Sequence, residues 1–118
     1  ENKMLNTKLP LLTEEWYAQQ RLNRLMEEIE ENYDLFAVKA YADNNWLKLE
    51  DFQDWVDQFE DAFVGRYENF REYADQIADE CYDTSNYFDY DGFARDLEFD
   101  HWYELDRSNY EYVIFRNY

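Results

Sequence analysis

Glycine and proline are almost missing from this chain, with two Gly and one Pro in 118 residues. So little turn-forming material excludes a long low-complexity linker. Cys81 is the single cysteine, so no intrachain disulfide forms and a reducing cytoplasm is the expected compartment. His101 is the single histidine, and it stands twenty residues from Cys81. The pair offers neither a Cys–His nucleophile nor a zinc set, and His101 is expected to be structural. No apolar run is long enough to span a bilayer, and no signal-peptide pattern occurs. Basic residues are scarce, 11 Lys and Arg against 29 Asp and Glu. A net charge of −18 argues against binding nucleic acid or anionic membranes. No glycine-rich phosphate loop is present, and no carboxylate pair stands apart as the acid–base couple of a hydrolase. The expectation is a chain without cofactor or metal that is not an enzyme.

What is abundant is aromatic and acidic. Aromatics make up 21% of the residues, whereas disordered acidic tracts have few, so the chain carries enough core material to fold. Its charge far exceeds the roughly 2–8 that keeps a small domain soluble. Like charges on a compact body repel one another. A surface built to attract something basic explains the cost better than simple acidity or salt adaptation.

The pattern predicts an α+β fold, mostly helical, with about four to five helices and a small C-terminal antiparallel sheet. Residues 1–11 read as an extended lead-in ending at Pro10. Thr13 caps a helix to about Glu31, with Leu22, Leu25, Met26 and Ile29 on one face. A second helix covers Asp34 to Ala42 and ends at Asp43-Asn44-Asn45. A third begins near Leu49 or Glu50 and aligns Phe52, Trp55, Val56, Phe59 and Phe63. Val64 to Tyr67 reads as a short strand. Asn69 caps a fourth helix, on which Phe70, Tyr73, Ala74, Ile77, Ala78 and Cys81 follow the helical period. Asp89 caps a fifth through Leu97. His101 to Leu105 and Tyr110 to Arg116 read as strands joined by a turn at Asp106-Arg107-Ser108-Asn109. The expected division is a helical subdomain over 1–62 and an α+β subdomain over 63–118.

The charge is unevenly spread. Residues 1–49 net −3, residues 50–107 hold nineteen acids against four bases, and residues 108–118 are neutral. Glu50, Asp51, Asp54, Asp57, Glu60 and Asp61 fill the positions that the third helix's aromatic stripe leaves free. Glu68, Glu72, Asp75, Asp79, Glu80 and Asp83 do the same around the fourth helix. Neighbours three or four apart on a helix stand about 5–6 Å from one another. Two such rows resemble the spaced charges of a nucleic-acid backbone, which B-DNA sets at one per roughly 1.7 Å of axis. Twelve Asp against seven Glu in residues 50–106 favours short, well-positioned carboxylates over better helix formers. These twelve acids are the expected target-binding set of a DNA mimic, beside the plainer alternative of charged helix faces that are simply solvated.

A calcium loop is a near miss. From Tyr87 as position one, Asp89, Asp91, Gly92 and Glu98 fall on positions 3, 5, 6 and 12. The first ligand is lost to Tyr87 and Arg95 sits near the ion, so the acids read instead as a helix cap.

The segment Tyr87-Phe88-Asp89-Tyr90-Asp91-Gly92-Phe93-Ala94-Arg95-Asp96-Leu97 resembles the stretch Tyr-Ile-Asp-Tyr-x-x-Tyr-Gly/Ala-Arg-Asp-Leu of ArdA-type antirestriction proteins. Phe63-Val64-Gly65-Arg66-Tyr67 with Phe70 and Tyr73-Ala74 is similar to that family's aromatic-x-Gly-x-Tyr stretch. Leu9-Pro10 and Leu22-Asn23-Arg24-Leu25 resemble the start of its central domain. The resemblance implies an elongated, acidic dimer from a mobile element or phage that mimics bent DNA and blocks type I restriction-modification enzymes. It also implies that Tyr87, Asp89, Tyr90, Phe93, Arg95, Asp96 and Leu97 are structural or dimer-contact residues. Tyr87, Tyr90, Phe93 and Leu97 are expected in core or interface, and Arg95 in an ion pair or dimer contact. The family's further α/β domain precedes the region matched by Leu9, so it is expected to be absent. The nearly neutral strand Tyr110 to Tyr118 is the expected dimer contact. A CRISPR effector or another defence enzyme remains an alternative target, as does a general role as an acidic module for basic proteins.

Overall fold

The computed structural model describes residues 13–117. The lead-in, with Leu9-Pro10, and Tyr118 lie outside them. Among the described residues the fold is α+β, with five α-helices and one three-stranded antiparallel sheet near the C-terminus. The chain packs as two units that divide between Gln53 and Asp54.

The first unit begins with α1 (Glu14–Asn32), started by Thr13, whose hydroxyl accepts from the Trp16 N–H at 3.2 Å. Glu14 and Glu15 favour the positive end of the helix. α2 (Leu35–Asn44) starts where the Asp34 carboxylate accepts from the Ala37 N–H, and it buries Ala37, Val38, Ala40 and Ala42. Small residues there bring helix backbones close. α2 runs through Asp43 and Asn44, two residues past the expected stop, and closes with Leu47 N–H donating to the Ala42 carbonyl at 2.8 Å. α1 packs against α2 and against a 3₁₀ turn, Leu49–Asp51, that leads into the next helix. The third helix therefore takes α geometry later than expected, as α3 (Phe52–Ala62).

In the second unit, α3 buries Trp55, Phe59 and Ala62. Phe63 leaves the helix and opens β1 (Phe63–Tyr67), yet its ring still stacks on Phe59 at 5.3 Å, as the apolar spacing requires. α4 (Phe70–Cys81) is capped by Asn69, and α5 (Tyr90–Glu98) by Asp89, as expected. β2 (His101–Asp106) and β3 (Glu111–Arg116) form the hairpin, and the sheet order is β1-β3-β2. Tyr110 falls in the turn rather than the strand, because its φ is 57°.

Alternation along β3 divides the core. Ile114 joins Phe70, Tyr73 and Ala74 of α4, with Phe93 and Leu97 of α5 packed alongside. Phe115 points the other way, meeting Phe59 and Phe63 and stacking on Trp102 at 4.2 Å. Val113, Ile114 and Phe115 are wholly buried, and β3 is paired on both sides. Val113 to Phe115 are therefore not available for the dimer contact expected over Tyr110 to Tyr118, whereas Tyr110 and Asn117 are exposed. β1 meets β3 through an irregular register between Phe63 and Gly65, and Gly65 takes a φ of 137° that L side chains rarely adopt.

Candidate target-binding surface

The apolar stripe of α3 decides where its acids go. With Trp55, Phe59 and Ala62 turned inward, Asp54, Asp57, Glu60 and Asp61 are left exposed. No side chain of these four makes an ion pair or hydrogen bond among the described residues. They occupy eight consecutive positions, which at ~1.5 Å rise per residue gives one carboxylate per roughly 3 Å of axis. One strand of B-DNA carries a charge every ~3.4 Å. Glu50 and Asp51, in the 3₁₀ turn of the first unit, are exposed as well.

The acids of α4 and its flanks are differently employed. Asn69 caps α4, and Glu72 reaches back past it to Glu68. The Asn69 side chain accepts from the Glu72 N–H at 2.8 Å, and the Glu72 carboxylate accepts from the Glu68 N–H at 3.3 Å. Asp75 takes a charged hydrogen bond from Arg71 at 2.7 Å, and the same guanidinium reaches Asp91 on α5. Hydrogen bonds to Asp75 and then Asp91 raise the Arg71 pKa further above its ordinary value. Asp79 accepts from Thr84 at 3.0 Å and from the Tyr90 hydroxyl at 2.6 Å. That bond favours the neutral phenol and raises the Tyr90 pKa. Glu80 accepts from Gln76. Asp83 accepts from both the hydroxyl and the N–H of Ser85, which hold its carboxyl below the usual range. Glu68 is exposed. Of the twelve expected acids, the α3 group is therefore free, whereas Glu72, Asp75, Asp79, Glu80 and Asp83 also hold local structure.

The 87–97 motif is mainly architectural. Asp89 caps α5 through the Gly92 N–H at 2.9 Å, and a Cβ on Gly92 would collide with the capping carboxylate. Tyr90 binds Asp79, while Phe93 and Leu97 pack on the α4 core. The Leu97 carbonyl accepts from His101 Nδ1 at 2.8 Å, leaving Nε2 for the Tyr73 hydroxyl at 3.1 Å. His101 thus pins α4, α5 and β2 together, the structural part expected of it. For two motif residues one of the two expected roles falls away. Tyr87 is fully exposed and so not in the core, and Arg95 is exposed without an ion pair among the described residues, which leaves an interface or dimer contact as the expected role of each. The short α5 turns one face to α4 and leaves position 95 on the other, and Tyr87 precedes the helix. Asp96 is exposed too.

Arg66, expected only as one position of the aromatic-x-Gly-x-Tyr stretch, forms an ion pair. From β1 it reaches the buried Asp106 at 2.8 Å and approaches Glu111 at 3.8 Å. Burial pushes the Asp106 carboxyl up, but Arg66 and the N–H of Ser108 outweigh it and hold the carboxyl below its ordinary value. Only a basic residue amid strand-forming neighbours signalled this pair.

Clefts in the first unit are lined by Leu22, Leu25, Ala42, Leu47 and Leu49 together with the charged Arg21, Lys39, Asp43 and Glu50. Among the described residues no group of three or more His, Cys, Asp or Glu is placed to hold a metal ion. No described helix is long and apolar enough to cross a membrane. No curated protein and no solved structure matches the chain. The family model described as antirestriction protein (ArdA) matches residues 7–112. An acidic α+β chain matched over nearly its whole length in this way belongs to the ArdA family of antirestriction proteins.

Proposed function

We propose that the chain inhibits a restriction enzyme by occupying its DNA-binding channel, with carboxylates standing where the duplex presents phosphates. The proposed target is a type I restriction-modification complex in the bacterial cytoplasm, and the inhibitor acts without catalysis and without binding nucleic acid itself. The observation that carries this reading is the outer face of α3, where four exposed acids have no ion-pair partner among the described residues, Arg116 reaching only the Asp61 backbone carbonyl at 2.8 Å. A channel lined with Lys and Arg supplies such partners. Its field steers a body of charge −18 over long range, and releasing bound ions adds affinity. Glu68 and the acids of α4, in the same unit, extend the array, and Glu50 and Asp51 of the first unit are proposed as target contacts in their own right. No single acid dominates, because each exposed pair contributes about 0–1 kcal/mol.

A competition titration tests the reading. The chain is added to a type I methyltransferase core bound to labelled DNA carrying its recognition site, at low and at physiological salt. Displacement at near-stoichiometric chain, weaker in salt, is the expected result. Displacement from a CRISPR effector or another DNA-scanning enzyme alone would move the target. Binding to basic proteins without displacing DNA would overturn the mimicry. Family resemblance extends the proposal to a homodimer, which sedimentation equilibrium tests at about twice the 14.7 kDa chain mass.

A further inference from the structure

Among the described residues two non-glycine residues have positive φ, Trp46 at 58° and Tyr110 at 57°. Both turn corners that require this conformation. Trp46 follows α2, with its N–H 3.5 Å from the Asp43 carbonyl, while Leu47 N–H donates to Ala42. That is the helix ending in which Gly or Asn normally takes the left-handed position. Tyr110 closes the β2–β3 hairpin, its N–H donating to the Asp106 carbonyl at 2.8 Å. Here too a left-handed residue before the strand is usually Gly or Asn.

Bulky side chains are sterically disfavoured in this region. These two are also displayed to solvent, Trp46 at 94% and Tyr110 at 78% exposure. Neither ring stacks on another or makes a side-chain hydrogen bond among the described residues. Glycine would serve the backbone better at both places, and a polar side chain would serve the surface better. An outlier of this kind is a reason to look for function.

We infer that Trp46 and Tyr110 are contact anchors for the DNA-binding enzyme itself, gripping it through apolar and cation–π contact. The inference rests on the proposed function and adds a contact that phosphate mimicry does not supply. The net charge of −18 favours as occupant a surface rich in Lys and Arg, whose cations sit well on indole and phenol faces. Trp and Tyr are also the residues in which interface binding energy concentrates. Apolar burial survives the salt that screens carboxylates, so the anchors hold where the array weakens.

The test measures binding of the full chain, W46G and Y110G to a type I methyltransferase core across a salt series. Glycine suits both corners, so thermal melting should stay at or above the wild-type temperature. Each variant is expected to lose about tenfold or more in affinity at every salt, with an unchanged slope of log affinity against log salt. W46F and Y110F keep the ring and should bind within about threefold of wild type. Wild-type binding with equal binding by both glycine variants overturns the inference and leaves the carboxylate reading standing. A loss that vanishes at high salt overturns it as well, since burial of the rings would then contribute nothing to binding. A wild-type chain that does not bind overturns both, because the inference names that enzyme as the occupant.

Discussion

Gly65 and Asp106 hold the sheet by different physics, and each can be tested alone. A Cβ on Gly65 would meet nothing nearer than a ring carbon of Tyr67 at 3.5 Å, an ordinary contact. Any cost of Gly65→Ala therefore comes from the φ of 137°, and residues forced into such regions cost about 1–3 kcal/mol. Urea unfolding should show a loss of that size with the m-value unchanged. Asp106 acts through charge. Its folded pKa lies below the ordinary carboxylate value, so its contribution is complete above about pH 3.9. That contribution is lost as the pH falls through the lowered folded value. Asp106→Asn keeps an acceptor for Ser108 but leaves Arg66 without its buried partner, which should cost about 1–3 kcal/mol at neutral pH. The gap between wild type and variant should close below the folded pKa. A gap that persists in acid would assign the loss to packing instead.

At the scale of elements, α3 and α4 look alike in sequence and separate in structure. Both carry an apolar stripe with acids between, yet α3 leaves its acids free while α4 spends several on caps and on α5. Replacing Asp54, Asp57 and Asp61 by Asn should weaken enzyme binding about 10–100-fold and flatten its salt dependence. The same change should not lower stability, since like charges three or four apart repel. Asp79→Ala should do the reverse. It removes the acceptor for Thr84 and Tyr90, costs about 1–2 kcal/mol of stability, and changes binding little. Helix periods, the Thr13, Asn69 and Asp89 caps and the hairpin were legible because each is a local rule written in adjacent residues. The Arg66–Asp106 pair and the central place of β3 were not, because strand order depends on pairing across the chain. Nor could periodicity distinguish a free acid from one bonded to Thr84, as that depends on where a loop returns. The left-handed corners at Trp46 and Tyr110 were hidden for a related reason, since the residues that usually mark such corners are absent there.

At the scale of the whole molecule one cause should produce two opposite salt responses. With 29 acids against 11 bases, mutual repulsion loads the folded state, and added salt relieves it. The melting temperature of the free chain should therefore rise between about 0.05 and 0.5 M NaCl, as the screening length falls from roughly 14 to 4 Å. Binding to a basic channel draws on the same charges, so affinity should fall over the same range. A protein whose acids served only solubility would show the first response without the second. One held together chiefly by surface ion pairs would lose stability as salt rose. Thermal melts and enzyme titrations in matched buffers separate these cases. The free acids of α3 sharpen the comparison, because the triple Asn variant should lose part of both responses together. If its melting curve changed its salt dependence while its affinity did not, the charge on α3 would be a burden on the fold with no part in recognition.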